Sequence, residues 1–235
     1  HQEGVCSERS RVDRLMIEGR GRLEGRLVAS GSKNAVLPLM AAALLTDEPL
    51  ILHRTPDLRD VSTLALILER LGVTVQRDDE TLVLQGQADG ETRAPYDLVS
   101  TMRASICVLG PLIARRGRAA VSMPGGCVFG VRPVDQHIHG LNALGARLTI
   151  DGGYLVSDIG ARLQGADIYL GSTFGPSVLA TANTLMASVL ARGKTRIMNV
   201  AMEPEVVELI DCLLAMGARI SGKGGHLLEV EGVDR

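Results

Sequence analysis

The stretch LERLGVTVQRDDETLVLQG from Leu68 returns in grammar, though not in letters, as LNALGARLTIDGGYLVSDIG from Leu141 and LLAMGARISGKGGHLLEVEG from Leu213. Each ends a helical pattern on Leu or Met followed by Gly, enters a strand, turns on Asp or Gly residues and comes back as a second strand. The pivot glycines Gly72, Gly145 and Gly217 stand 73 and 72 residues apart, a regularity that a conventional α/β domain would produce only by coincidence. Upstream of each pivot the pattern also recurs. An apolar helix-like stretch (34–45, 103–114, 178–191) precedes a short strand (50–53, 119–123, 196–200), and an amphipathic helix follows. Each unit is therefore expected to run helix, strand, helix, strand, strand. The first helix of each unit is apolar on nearly every side, which requires burial on every side. The expected fold is α/β with three pseudo-repeats of about 72 residues, its helices inside and its sheets outside, the inverse of the usual doubly wound layering.

The repeat also isolates an insertion. From the middle of the first strand to the pivot glycine, unit one takes 20 residues (Leu52 to Gly72) and unit three takes 19 (Met198 to Gly217). Unit two takes 24 (Val121 to Gly145), and the excess falls on PGGCVFGVRP at 124–133. A glycine-rich loop that the scaffold does not require is expected to be a mobile active-site segment. It holds Cys127, Phe129 and Arg132.

Charge and composition narrow the partners. Lys and Arg number 25 against 27 Asp and Glu, so no overall field favours nucleic acid or an anionic membrane, and any anion site must be local. Cysteines at 6, 107, 127 and 212 form no CxxC pair, which suits free thiols and a cytoplasmic protein. Cys107 and Cys212 sit in apolar helical patterns and are expected to be structural. The uncharged run 168–191 is long enough to cross a membrane, but its Gly, Ser, Thr, Pro and Asn content reads as a loop followed by a buried helix. Residues 1–12 are polar and aperiodic and are set apart from the fold as an extension. His137 and His139, two positions apart on a helical pattern, diverge and find no third ligand, so no metal is expected. Glu203 and Glu205 flank Pro204 and read as favourable charges at a helix start.

Four segments carry a resemblance: GSKNAVLPLMAAALL at 31–45, TMRASICVLGPLIAR at 101–115, PGGCVFGVRPVDQHIHGLNALGA at 124–146 and EPEVVELIDCLLAMGARISG at 203–222. They resemble the UDP-N-acetylglucosamine enolpyruvyltransferases, bacterial enzymes that commit this sugar nucleotide to peptidoglycan synthesis. The resemblance runs from about Leu15 to the end of the chain. It implies an inside-out α/β barrel, or prism, built from two domains of three units each. Residues 32–235 then correspond to the first domain, and 13–31 to strands that pair with a second domain beyond this chain. The implied partners are phosphoenolpyruvate and UDP-N-acetylglucosamine, with no cofactor.

Residue by residue, the resemblance makes Cys127 the proton donor to the methylene of phosphoenolpyruvate, and a thiol able to form a covalent adduct with it. Lys33 and Asn34 match a Lys-Asn pair at the start of the first buried helix, and Arg103 a substrate-binding arginine at the start of the second, where cations and backbone N–H groups hold anions. Arg132, Pro133, Val134, Asp135 and Gln136 match a segment lining the uridine-diphosphate pocket. Gly171, Ser172, Thr173, Phe174 and Gly175 fall where further nucleotide contacts are made, although STFGPS departs from the small residues usual there. The family's aspartate base and a further arginine come from the second domain, so the 235-residue chain is expected to turn over little by itself. Two alternatives stand beside this reading: the related shikimate-pathway enolpyruvyltransferase and a non-catalytic nucleotide-sugar binding half-protein.

Overall fold

Each repeat is organised around one helix with almost no polar face. In the computed structural model, which describes residues 16–19, 21–22, 24–123, 134–173 and 175–234, these helices are α1 (Lys33–Ala42), α4 (Leu109–Arg116) and α6 (Val178–Ser188). Ser32 and Ser177 cap α1 and α6, accepting from Ala35 N at 3.4 Å and Ala180 N at 3.3 Å. A 3-10 turn, Ala43–Leu45, extends α1. Every α6 residue from Ala180 to Ser188 is buried. α6 packs on both α1 and α4, and α4 on the 3-10 turn that extends α1, within one continuous apolar core.

Around them run β1 (Leu50–Leu52), α2 (Arg59–Arg70), β2 (Thr74–Asp78) and β3 (Thr81–Gln85) in the first repeat. The second adds α3 (Tyr96–Val99), β4 (Arg118–Ser122), α5 (Asp135–Ala143), β5 (Thr149–Asp151) and β6 (Tyr154–Asp158). The third has β7 (Asp167–Tyr169), β8 (Lys194–Met198), α7 (Pro204–Ala215), β9 (Arg219–Ser221) and β10 (Leu227–Glu231). The sheets are ordered β1-β3-β2, β4-β6-β5 and β7-β8-β10-β9, so the returning hairpin strand is flanked by the other two strands of its own repeat. Leu82 and Leu84, Leu155 and Ser157, and Leu228 and Val230 point inward with period two.

The pivot glycines behave as their spacing predicts. Gly72, Gly145 and Gly217 have φ of 86°, 92° and 95°, a region closed to most side chains. The residue after each closes the helix end: Val73 N donates to Leu68 O at 2.9 Å, Ala146 N to Leu141 O at 3.1 Å and Ala218 N to Leu213 O at 2.9 Å. This is one helix stop used three times.

Two expectations are modified. The helix expected over 103–114 is divided into a 3-10 segment, Arg103–Val108, and α4. Pro111 has no N–H to give Cys107 O, and Asn183 Nδ2 takes Ile106 O at 2.9 Å, so the α-helical ladder is interrupted there. The run 168–191, expected as a loop and then a helix, begins instead in β7. Asp167, Ile168 and Tyr169 pair in parallel with Arg196, Ile197 and Met198. An isolated parallel bridge, Arg93 to Ala120, stands in the same place in the second repeat. Three residues show no period of their own, and the pairing exists only because β8 lies beside them. The segment 13–31, expected to pair as strands with another domain, forms no strand among its described residues and exposes Met16, Ile17, Leu27 and Val28.

Polar contacts lock the second repeat to the third. Asn183 Oδ1 accepts from Gly110 N at 2.8 Å, and Asn183 Nδ2 lies 3.0 Å from His137 Nδ1 on α5. The helices approach so closely that a Cβ on Gly110 would lie 2.4 Å from the Asn183 carbonyl oxygen. Gly110→Ala is therefore expected to lower unfolding free energy by about 1–3 kcal/mol, the usual cost of overpacking, read from urea denaturation.

His137 is buried, and burial, reinforced by the Arg103 charge, pushes its imidazole down to about 3. The unfolded chain takes up that proton as pH falls through about 6.5, whereas the folded chain does so only near 3. The stabilisation held by the neutral ring is thus intact above about pH 6.5 and declines as pH drops toward 3. Urea midpoints taken from pH 7 to 4.5 are expected to fall more steeply for the wild type than for His137→Asn.

Candidate active site

Because each buried helix is followed by a strand running back beside it, helix N-termini and strand C-termini meet at one end of the barrel. There Gly31 presses on the loop after β1, with only 1.9 Å between the position of a Cβ and Arg54 O. Thr181 Oγ1, in the first turn of α6, accepts from Ala201 N in the loop after β8 at 3.1 Å.

Each hairpin tip holds the loop that follows its repeat's first helix–strand pair. Thr55 N donates to Glu80 O at 2.7 Å, Met123 N to Gly153 O at 2.8 Å and Val200 N to His226 O at 3.2 Å. These amides precede their pivot glycines by 17, 22 and 17 residues. The surplus of the second repeat therefore lies wholly after Met123 in the sequence. Cys127, Phe129, Arg132 and Pro133 belong to this surplus and, like Phe174, lie outside the described residues.

The described candidates occupy this end. Lys33 and Asn34 open α1, Ser32 being its cap. Pro38, one turn on, has no N–H to offer the Asn34 carbonyl. Lys33 Nζ pairs with Asp60 Oδ2 at 3.0 Å across partly exposed surface, a solvated pair that an anionic ligand can displace at small cost. Arg103 opens the 3-10 segment, the counterpart of Lys33 one repeat on. Val134 is the N-cap residue of α5, and Asp135 and Gln136 its first turn.

Gln136 brings two of the expected segments together. Its Nε2 donates to Gly175 O at 2.9 Å, and its Oε1 accepts from Ser177 N at 3.2 Å. Ser172 Oγ also donates to Gly175 O, at 3.1 Å. Gly171, Ser172, Thr173 and Gly175 thereby sit against the α5 N-terminus, next to the capped start of α6. Two helix N-termini, α1 and α6, supply oriented N–H groups at this end. An anionic group suits such a place.

The thiols divide as expected where they are described. Burial pushes Cys107 up to about 12 and Cys212 up to about 11, leaving both as inert thiols at neutral pH. His137 turns inward and is buried, while His139 is exposed, so the two rings diverge. Glu203 stands at the N-cap position of α7 without a side-chain cap hydrogen bond, and Pro204 opens the first turn. Hollows of about 410 and 390 Å³ lie at the far end, against β8, β9 and β10 and beside the C-terminus of α4. Arginines there are committed: Arg116 donates to the carbonyls of Leu71, Gln87 and Glu91, and Arg162 to those of Leu190 and Val233. The expected site residues that are described thus stand at the helix N-terminal end, away from these hollows.

Sequence reasoning did not single out Ser177 or Asn183. The signal for Ser177 was present, a Pro-Ser pair just ahead of an apolar run. Asn183 was visible only as a polar residue in that run.

The sequence matches, over residues 17–235, the family described as EPSP synthase (3-phosphoshikimate 1-carboxyvinyltransferase). A UDP-N-acetylglucosamine 1-carboxyvinyltransferase from Shewanella amazonensis is 47% identical over 224 residues, covering 95% of this chain and 53% of the relative. The chain thus spans about half the length of that relative. Among solved structures, the enolpyruvyl transferase NikO from Streptomyces tendae superposes with a TM-score of 0.77 at 21% identity, over 90% of this chain and 49% of that one. EPSP synthase from Acinetobacter baumannii gives 0.71 at 14% identity, over 88% and 47%. These two likenesses speak to the fold, the inside-out α/β barrel expected from the repeats. With helices packed within, sheets without and a family match over nearly its whole length, the chain belongs to the EPSP synthase family of enolpyruvyltransferases.

Proposed function

We propose that this chain is the nucleotide-sugar half of a cytoplasmic enzyme that transfers the enolpyruvyl group of phosphoenolpyruvate to the 3′-hydroxyl of UDP-N-acetylglucosamine and releases phosphate. The observation that carries the reading is the 47% identity, over 95% of the chain, to a relative named for that reaction. The structures named as EPSP synthases are only 14% and 16% identical and speak to fold alone, so the sugar nucleotide is preferred to shikimate 3-phosphate as acceptor.

In this mechanism a proton passes from Cys127 to the methylene carbon of phosphoenolpyruvate, leaving the adjacent carbon cation-like. The sugar oxygen bonds to that carbon as its own proton is removed by a base outside this chain. A proton then leaves the new methyl group, the double bond re-forms and phosphate departs. The carboxylate stays anionic throughout and the phosphate gains negative charge as it departs, and these are the groups that Lys33, Arg103 and Arg132, with the N–H groups around Asn34, are suited to hold. Pro133, Val134, Asp135 and Gln136, with the 171–175 stretch, line the nucleotide. Residues 32–235 form the first domain, and 13–31 pair with the second.

Three results would test this. Gln136→Leu leaves Ser177 N without its side-chain partner and Gly175 O with Ser172 Oγ alone, and is expected to weaken UDP-N-acetylglucosamine binding by about tenfold in calorimetry; unchanged affinity removes Gln136 from the pocket. In mass-spectrometric mapping of the protein with its second domain restored, the epoxide fosfomycin added with the sugar nucleotide is expected to alkylate Cys127 and to spare Cys107 and Cys212, whose thiols burial keeps protonated. Labelling of Cys107 or Cys212 in preference to Cys127 would sink the assignment. Phosphate release with both substrates is expected to be slight for the 235-residue chain, and family-like turnover would refute the half-enzyme reading.

A further inference from the structure

We propose that His137 and Asn183 are positioning residues for the nucleotide end of the site: Asn183 holds the imidazole so that the first turn of α5 stays set against Ser177 and the 3-10 segment that Arg103 opens. The functional part of this rests on the nucleotide reading above, while the geometry stands without it.

The hydrogen bonds assign every proton. Gly110 N is a donor, so the Asn183 atom 2.8 Å from it is the carbonyl oxygen. The amide nitrogen therefore spends its two hydrogens on Ile106 O at 2.9 Å and His137 Nδ1 at 3.0 Å. His137 Nδ1 must accept, which puts the ring proton on Nε2. One side chain of α6 thus grips the 3-10 segment, the start of α4 and α5. One residue before His137, Gln136 clamps Gly175 and Ser177. One turn after it, Gly140 lies so close to α6 that a Cβ would be 2.2 Å from Thr184 Oγ1. The α5 N-terminus is registered on α6 at three successive levels.

The repeats supply an internal control for scaffolding. Six positions after the caps Ser32 and Met102, where the third repeat has Asn183, stand Pro38 and Val108. Eight positions before the pivot glycines Gly72 and Gly217, where the second repeat has His137, stand the buried leucines Leu64 and Leu209. The barrel therefore closes twice with apolar residues at the His137 position. His137 Nε2 is buried with no hydrogen-bond partner among the described residues, a cost that a position kept for packing alone would not carry. What the polar pair adds over leucine is direction: a hydrogen bond fixes rotation and register where apolar contact tolerates slippage.

The test uses the 235-residue chain. Long-range ¹⁵N–¹H NMR of the wild type should show His137 neutral and protonated at Nε2 at pH 7, and Asn183→Asp, which can no longer donate to Nδ1, should move the proton to Nδ1. A wild-type ring protonated at Nδ1 overturns the proposal even if no variant folds. By hydrogen exchange, His137→Leu should speed the Ser177 amide by about tenfold and leave the α2 amides of Leu64 and Ile67 protected, and His137→Asn, which restores an acceptor, should recover most of the loss. With UDP as the probe, His137→Leu should weaken binding by about fivefold or more, whereas Leu64→Ala should lower the melting temperature without changing that affinity. Wild-type Ser177 protection in His137→Leu, or equal weakening by Leu64→Ala, overturns the positioning role. If the wild type binds no UDP, the nucleotide reading fails and the exchange data still decide whether the pair sets the register.

Discussion

A helix without a polar face has to be surrounded by protein, and the architecture is the consequence of placing three of them in one chain. Most backbone polar groups of α1, α4 and α6 pair within the helices, and Ser32, Ser177 and Asn183 take amides that do not, so apolar side chains can face outward in all directions and pack on each other. Sheets and amphipathic helices then form the outer shell, and their own alternation follows: leucine and valine inward, charged residues outward. The inversion of the usual α/β layering needs no other cause.

Closing such a shell three times requires the chain to reverse in the same way three times. The left-handed glycine stops and the hairpin-tip hydrogen bonds do this. Each stop ends an amphipathic helix where its hairpin begins, and each tip holds the loop that follows a buried helix and its strand. Helix N-termini and loop roots are thereby brought to one end, an anion-attracting end created by topology before any particular side chain is considered. Met123, the last described residue before the insertion, is held at that end by the tip of the second hairpin.

Function enters where the repeats stop being alike. Lys33 and Arg103 occupy equivalent helix starts and keep the cationic theme. Asn183 and His137 stand where the other repeats have apolar residues, and with Gln136 they join the second repeat to the third beside the 171–177 stretch. Buried polar groups are poor sources of stability and good sources of orientation. Their concentration at one junction separates the part of the barrel that can be generic from the part that must be exact in register.

Much of this was legible in the sequence. The 73- and 72-residue spacing of the pivot glycines carried the repeat, because only glycine takes the left-handed turn without strain and the turn recurs with the fold. The apolar runs carried the buried helices, because hydrophobic periodicity is a local property of consecutive residues. Met123 as the starting point of the surplus was not legible, since it depends on a hydrogen bond to Gly153. Neither was β7, which has no pattern of its own and exists by pairing with β8. His137 read as an ordinary helix residue, and Asn183 as an argument against a membrane span. Their partnership with Ile106 and Gly110 joins residues more than seventy positions apart. By itself the sequence determined the number of repeats, the elements in each and which helices must be buried, all set by periodicity and backbone stereochemistry within short windows. Only the tertiary structure decided which polar side chain meets which backbone group, because such contacts depend on how closely two helices approach, and that distance is written in no single segment.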